Sequence, residues 1–448
     1  MRWGAWRPGW VPADPTSRVE PATCLGCGCA CDDITVTVRE HRIVASERAC
    51  AMGAAWFGDG RAPSRATRDG QEAALDDALS SAAHLLTHAT RPLVFLAPDV
   101  SMEAQRLAVA VADTCGASLD NVSAATVASS ILAAQELGRA TATLGEVRNR
   151  ADVVIFWDVD AERYPRFAER YAPDPVGLYV AAGRRDRRVV SVRVDLAGWP
   201  AADETVDIAR DDEVSTLTVL AALLVDPGCV QGDGPAWAHA RTLADIVTRG
   251  RYAVIVADAE PGARGPDVSR PSGRAEALWR VSHAINHRTR GGVIALRAGG
   301  NRTGAEAAMT SAAGYPMAVD YMRGAPRYRP HDGTAMTLLA SGVVDAALVV
   351  GEARLIDQAV LAGLMQVPCV ALGPGASGGP LAGSRVVIDS ARVGVHEAGT
   401  VLRMDDVPLP LRALVAGPPP ARDLLATLVT LVASGHRRRA GAGPGATL

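Results

Sequence analysis

The sequence predicts an α/β protein with two doubly wound parallel-sheet domains behind a small N-terminal cysteine module. Three observations lead there. Short apolar runs bounded by turn residues alternate with helical stretches, the pattern of a parallel sheet covered on both faces. The alternation occurs as two series, the second starting near Gly250. Five of the eight cysteines lie between Cys24 and Cys50.

Along the chain, Met1 to Pro21 reads as an irregular extension carrying Trp3, Trp6 and Trp10. The module from Cys24 to about Gly60 contains Ile34 to Val38, which alternates as a short strand. Glu72 to Thr90, Met102 to Thr114 and Ala125 to Leu137 carry helical patterns. Pro92 to Pro98, Asp152 to Trp157, Val176 to Ala182 and Val189 to Asp195 read as strands. In the second series, Tyr252 to Ala257, Val293 to Leu296, Val344 to Val350 and Val367 to Leu372 are strands. Gly273 to Asn286 and Ala305 to Ala312 are helices between them, and Asp423 to Ser434 is a last helix. The expected units are therefore 1–60 (extension and cysteine module), 61–248 (first α/β domain) and 249–435 (second α/β domain with a C-terminal loop region). An Arg- and Gly-rich tail, 436–448, is expected to be disordered.

Composition narrows the chemistry. With 448 residues, 48% hydrophobic and 21% charged, the chain has material for two or three full cores. A net charge of −3 gives no reason to expect nucleic acid as a partner. No long uncharged apolar run suggests a membrane span. Lysine is absent, so all 46 basic residues are arginine, which excludes Schiff-base lysine chemistry and a P-loop lysine. Nothing resembles a secretory leader, so a cytoplasmic location and free thiols are expected.

The strongest motif is Cys24-x-x-Cys27-x-x-x-Cys31 with Cys50 downstream. Three thiolates from one loop and one from a distant segment suit a [4Fe–4S] cluster; the spacing also accommodates zinc or free, packed thiols. Cys29 is a fifth candidate. Gly373-Pro-Gly375-Ala-Ser-Gly378 matches a dinucleotide fingerprint, but Leu381-Ala-Gly383-Ser breaks up the helix such a motif needs, so it reads as a loop. His84 with His88, and His283 with His287, lack the glutamate of a zinc-protease helix and read as surface residues. Arg184-Arg-Asp-Arg-Arg188 reads as a solvated hairpin, and Glu397 to Asp405 as a polar loop after a strand.

Taken together, the residues resemble a known family. Cys24-Leu-Gly-Cys27-Gly-Cys-Ala-Cys31-Asp-Asp-Ile34 with Ala49-Cys50 is similar to the opening of the B subunit of formylmethanofuran dehydrogenase, a relative of the molybdopterin oxidoreductases. The likeness continues through Leu144 to Asp152, Phe156-Trp157, Pro165-Arg166, Arg170-Tyr171, Asn301-Arg-Thr-Gly304, Gly314-Tyr-Pro316 and Val344 to Val350. It ends in Glu397-Ala-Gly-Thr400-Val-Leu-Arg-Met404 to Pro408. The resemblance implies domains of molybdopterin-oxidoreductase type. In the redox members, tungsten or molybdenum is held by two pterin dithiolenes and a protein cysteine shortly after an Asp-Asn pair. Here the pair is Asp120-Asn121, and Thr126 falls at the cysteine position with Val127 at the neighbouring histidine. A hydroxyl does not replace a soft thiolate on such a metal. Where the family tends to have Trp-Gly-x-Asn-Pro, this chain has Trp157-Asp158-Val159-Asp160-Ala161, placing two carboxylates where a pyrophosphate would be cradled.

These departures suggest similarity to the non-redox B subunit of the bacterial formyltransferase/hydrolase complex of methylotrophs. That implies a scaffold with no catalytic residue of its own and no bis(pterin) tungsten or molybdenum. Its partners would be amidohydrolase-type, formyltransferase and C-type subunits. Together they would move a formyl group from tetrahydromethanopterin to a methanofuran-like carrier and release formate. Arg302, Arg323 and Arg327 are candidates for holding the carrier's carboxylate-rich tail. Cys24, Cys27, Cys31 and Cys50 are the candidate metal ligands. The competing classes are a redox-active tungsten or molybdenum protein and a binding module outside one-carbon metabolism.

Overall fold

A computed structural model describes residues 16–228, 231–259 and 273–441. Most of the expected extension, Cys229 and the end of the tail lie outside the described residues.

Two largely parallel sheets dominate. In the first, the order is Glu204–Asp207, Arg188–Arg193, Val153–Trp157, Tyr252–Asp258, Arg290–Leu296, all parallel. The sequence order reverses between Val153–Trp157 and Tyr252–Asp258, the place where such a sheet opens a crevice at its carboxyl edge. The second sheet has nine strands. Its centre is parallel, in the order Ser118–Asn121, Pro92–Leu96, Ala346–Val350, Cys369–Gly373, Val386–Asp389. Short antiparallel pairs extend both edges, Val319–Asp320 with Arg327–Tyr328 and Ala66–Arg68 with Gln71–Glu72.

The central strands are apolar without interruption and wholly buried, as in Val153-Val-Ile-Phe-Trp157 and Ala346-Ala-Leu-Val-Val350. Their two faces feed different cores. Val94, Leu96, Leu348 and Val350 pack against the helices Leu75–His88, Met102–Cys115 and Ala421–Gly441. Leu93, Phe95, Ala347 and Val349 face the helices Ala335–Ala340 and Gln358–Leu364. Helix ends obey local rules: the Ser101 hydroxyl accepts the Ala104 N–H at the start of Met102–Cys115, and Gly116 closes it with φ of 65°.

The N-terminal module is a three-stranded antiparallel sheet, Thr16–Ala22, Ile34–Arg39 and Arg42–Glu47, followed by the helix Ala51–Phe57. Its cysteine loop shares one apolar core with Val154, Phe156, Val254 and Val256 of the five-stranded sheet.

Several expectations need correction. The expected boundary at 248/249 falls inside the five-stranded sheet, since Tyr252–Asp258 pairs with Val153–Trp157. The nine-stranded sheet draws strands from both sides of it. Apolar periodicity identifies strands but not their partners. Val176 to Ala182 is no strand; it forms a tight turn bridged between Gly177 and Val180. The helix expected over 125–137 is interrupted at Val127, between Ser123–Thr126 and Ala128–Leu137. The extension is already a strand from Thr16, and the last helix runs into the expected disordered tail as far as Gly441.

One side chain joins the two sheets where the chain crosses between them. Asn301 is buried; its Nδ2 donates to Val100 O at 3.0 Å, Gln105 Oε1 at 3.3 Å and Thr400 O at 3.4 Å. Its Oδ1 accepts the Leu402 N–H at 2.9 Å. Gly304 must lack a Cβ, since that atom would stand 2.0 Å from Asn301 Oδ1. Asn301→Ala is therefore expected to lower unfolding free energy by about 3 kcal/mol, through orphaned buried polar groups. Gly304→Ala should cost a similar amount, about 2 kcal/mol or more, by overpacking. Denaturant titration checks both, and wild-type midpoints would contradict the role given to Asn301.

Candidate functional site

The carboxyl ends of Tyr252–Asp258 and Arg290–Leu296 open onto a cleft between the sheets. A cavity of about 380 Å³ is lined there by the helices Ala128–Leu137 and Arg302–Ala313 and by Met404 and Asp406. A smaller one of about 200 Å³ shares Ser130, Ala259, Trp279 and Ala295 with it. Buried Arg297 donates to Ser123 Oγ at 3.0 Å and Glu306 Oε1 at 2.7 Å. Arg139 and Asp406 pair at 2.7 Å, and burial pushes the Asp406 carboxyl above its ordinary value.

Thr126 lines the smaller cavity, where its hydroxyl donates to Val122 O at 3.1 Å. The only sulfur among the described residues lining either cavity is the Met404 thioether. Asp120 and Asn121 organise the loops nearby. Asp120 accepts the N–H groups of Ala318 and Ala335 at 3.0 and 2.6 Å. Asn121 donates to Pro316 O at 2.8 Å and accepts the Ser123 N–H at 2.8 Å.

The second departure from the family pattern has a specific geometry. Asp158 is fully buried at the crevice of the five-stranded sheet with φ of 50°, a backbone region that suits glycine. Its Oδ1 accepts three successive N–H groups, Val194 at 3.0 Å, Asp195 at 2.9 Å and Leu196 at 3.0 Å. Convergent backbone amides of this kind form an anion receptor, and here the chain's own carboxylate fills it. Asp160 turns away and caps the turn at Ala161–Arg163 through the Glu162 N–H. Sequence reasoning missed the amide nest; Asp195-Leu-Ala-Gly198 directly after a strand was its available signal.

The cysteine loop packs against the same region. Cys27 bridges Ala298, the Gly28 N–H donates to Arg297 O at 3.1 Å, and the Gly300 N–H donates to Leu25 O at 2.9 Å. Arg166 grips Asp33 bidentately, with both bonds at 2.8 Å, and Arg170 reaches Asp32 at 2.6 Å. Cys24 lies within electrostatic reach of Cys27, Cys31 and Cys50. Burial pushes the Cys24 and Cys31 thiols up, while a hydrogen bond from Cys29 pulls the Cys27 thiol down. Among the described residues, no group of three or more His, Cys, Asp or Glu side chains is arranged to hold a metal ion. Cys24 Sγ accepts the Gly26 N–H at 3.2 Å, and Cys27 and Cys29 are hydrogen-bonded to each other. No chemistry is derived through a cluster.

The three arginines considered for a carrier tail are not brought together. Arg302 is buried at the start of a 12-residue helix spanning roughly 17 Å. Arg323 and Arg327 are exposed near its far end, where Tyr315 stacks on Tyr328 at 4.9 Å. His84 and His88 are exposed on one helix, His283 is exposed on another and His287 in the turn after it, and Gly373 to Gly379 is a loop with one 3₁₀ turn. Glu397, expected in a loop of the kind that faces ligands, is buried instead. It accepts from Ser101 Oγ at 3.1 Å and the Ala421 N–H at 3.0 Å, joining two helix starts.

The architecture defines the chain as an α/β protein of two parallel sheets with a cysteine-bearing module against their junction. No family model matches the chain. It is similar in fold to a chain of the formyltransferase/hydrolase complex from Methylorubrum extorquens, solved in complex with methylofuran. The TM-score is 0.68 at 22% identity, covering 83% of this chain and 99% of that one. In sequence it is 29% identical over 437 residues to the B subunit of the tungsten-containing formylmethanofuran dehydrogenase 2 of Methanocaldococcus jannaschii, covering 92% of this chain and 98% of the relative. The corresponding protein of Methanococcus maripaludis is also 29% identical, over 412 residues, covering 88% of this chain and 93% of the relative. The chain is a homologue of the formylmethanofuran dehydrogenase B subunits.

Two measurements probe the buried carboxylates. Asp158→Ala removes the acceptor of three amides and should cost about 3 kcal/mol in unfolding free energy, read by denaturant titration. A pH effect follows from burial, which raises Glu397 to about 7 and Asp99 and Asp120 to about 6. Between the ordinary carboxylate range and these values the folded chain holds more protons than the unfolded one. That stability is full below about pH 4 and is lost as pH rises through about 7. The melting temperature is expected to fall between about pH 5 and pH 8. Glu397→Gln should flatten that slope, and an unchanged slope would contradict the assignment.

Proposed function

We propose that this chain is the non-redox B subunit of a formyltransferase/hydrolase complex. In such a complex other subunits transfer a formyl group from tetrahydromethanopterin to a methanofuran-like carrier and release formate. The carrying observation is Asp158. Its carboxylate fills the three-amide receptor at the sheet crevice, so a pyrophosphate approaching that backbone would meet an anion already seated there. Thr126 adds to it: the residue at the family's metal-ligand position is a hydroxyl bonded to its own helix, in a cavity without a thiolate.

On this reading the two sheets, with helices on both faces of the nine-stranded one, are doubly wound domains of molybdopterin-oxidoreductase type. The cysteine loop is a structural module. The partners are amidohydrolase-type, formyltransferase and C-type subunits. Of the arginines considered for the carrier's tail, Arg323 and Arg327 have the exposure that role needs. A redox-active protein is the second reading, favoured by the tungsten-containing relatives in the sequence comparison.

The test is anaerobic purification with whatever assembles around the chain, followed by tungsten, molybdenum, iron and pterin determination. Tungsten, molybdenum and pterin are expected to be far below one per chain. Thr126→Cys should leave that unchanged, because Asp158 still fills the crevice. Stoichiometric tungsten-pterin in the wild type would establish the redox reading. Iron near four per chain would show that the cysteine loop rearranges around a cluster.

A further inference from the structure

The turn after Pro173 is an apolar knob on a rigid mount. Val176, Leu178 and Tyr179 are 61%, 74% and 55% exposed, within four residues of each other. Exposed apolar side chains are ordinary when scattered, but a contiguous group on a fixed backbone marks a contact surface.

The backbone beneath is held from several sides. Buried Arg187 directs its guanidinium to main-chain carbonyls: Pro175 at 2.5 Å, Arg148 at 2.6 Å, Pro173 at 2.9 Å and Ala151 at 3.1 Å. Burial pushes its pKa down, opposed by nearby Asp174 and Asp186. Asn149 O accepts the Tyr179 N–H at 2.8 Å, and Arg251 donates to Tyr179 O at 3.2 Å. A Cβ on Gly177 would lie 2.1 Å from Arg148 O, so the turn closes against the preceding helix end. A loop fixed this firmly loses little conformational freedom on association.

The surroundings say what kind of surface fits. Arg150 lies over the Tyr179 ring at 5.5 Å, and Arg148, Arg150 and Arg185 are exposed without an ion pair among the described residues. The acids close by are Asp174, Asp186, whose carboxylate accepts the Ala182 N–H at 2.6 Å, Asp152, which pairs with Arg251 at 3.1 Å, and Glu146, one turn before Arg150 on the same helix. In a two-fold contact between copies, the same arginines would face each other, which is repulsive.

We propose that Val176, Leu178 and Tyr179 anchor this chain in a different protein subunit, one presenting an apolar socket flanked by carboxylates. The proposal rests on the multi-subunit reading above and adds the surface through which it is realised. The contact is that of an interface hot spot: aliphatic and aromatic side chains enter the socket, and the arginines pair at its rim.

The test uses the complete chain in its purified assembly. A benzoylphenylalanine photo-crosslinker at position 178 is expected to attach to another polypeptide, at a peptide bearing Asp or Glu. Attachment to a second copy, or none, would overturn the proposal. Leu178→Asp is expected to weaken assembly at least tenfold with an unchanged melting temperature. Arg150→Glu should cause a smaller loss that shrinks as salt is raised. An assembly that forms normally with Leu178→Asp sinks the anchor and leaves the multi-subunit reading standing. A wild-type chain that purifies alone sinks both.

Discussion

The crossing of the chain between its two sheets depends on Asn301. The strand Arg290–Leu296 belongs to one sheet, and the helix Arg302–Ala313, immediately after Asn301, packs on Met102–Cys115 of the other. A junction of this kind gathers backbone groups from several segments, none of which continues a regular ladder. One buried amide, with two donors and one acceptor oxygen, serves Val100, Thr400 and Leu402 together and reaches Gln105. The cleft between the sheets has its shape because these segments are pinned there. The close fit of Gly304 under Asn301 sets how near the helix can approach.

Carboxylates repeat this role at the edges of both sheets. Asp158 takes three amides, Asp120 takes Ala318 and Ala335, and Asp389 takes Arg65 and Ser377. Asp158 follows a strand, Asp389 ends one and Asp120 stands next to the end of another, at the carboxyl edge where open α/β sheets ordinarily receive ligands. Backbone N–H groups that would face an incoming anion are met by an internal one. In a chain where this has happened at the crevice of the five-stranded sheet, the positive φ of Asp158 is a strain that the three bonds compensate.

Much of the fold was legible because buried parallel strands are unbroken apolar runs, as at Val153–Trp157 and Ala346–Val350. What periodicity lacked was pairing. Pro92–Leu96 lies beside Ala346–Val350, about 250 residues later, and no local signal records that. Val176 to Ala182 carries a strand's apolar content, yet exposes it on a turn, where Asn149 O takes the Tyr179 N–H and Arg251 donates to the Tyr179 carbonyl. At the site, Thr126 and the charge of Asp158 stood out only against the pattern of the resembled family. The amides that receive Asp158 were missed, since three consecutive N–H groups leave only the weak signal of Asp195-Leu-Ala-Gly198 after a strand. Glu397 was misjudged for a related reason: a polar residue in a Gly-bearing loop gives no sign that two helix starts will close over it.

The cysteine loop is placed by contacts that involve no thiol. Gly28 and Gly299 pass so close to neighbouring main chain that a Cβ would fall 2.3 Å from Arg297 O and 2.5 Å from Gly26 O. Arg166 and Arg170, on one short helical turn, hold Asp33 and Asp32 on the strand side of the loop. Tyr171 donates to Cys29 O at 3.3 Å. Main-chain bonds, glycine packing and a partly buried two-arginine clamp therefore fix the loop against the cleft wall. Cys24, Cys29 and Cys31 are buried in this setting, while Cys27 and Cys50 stay partly open.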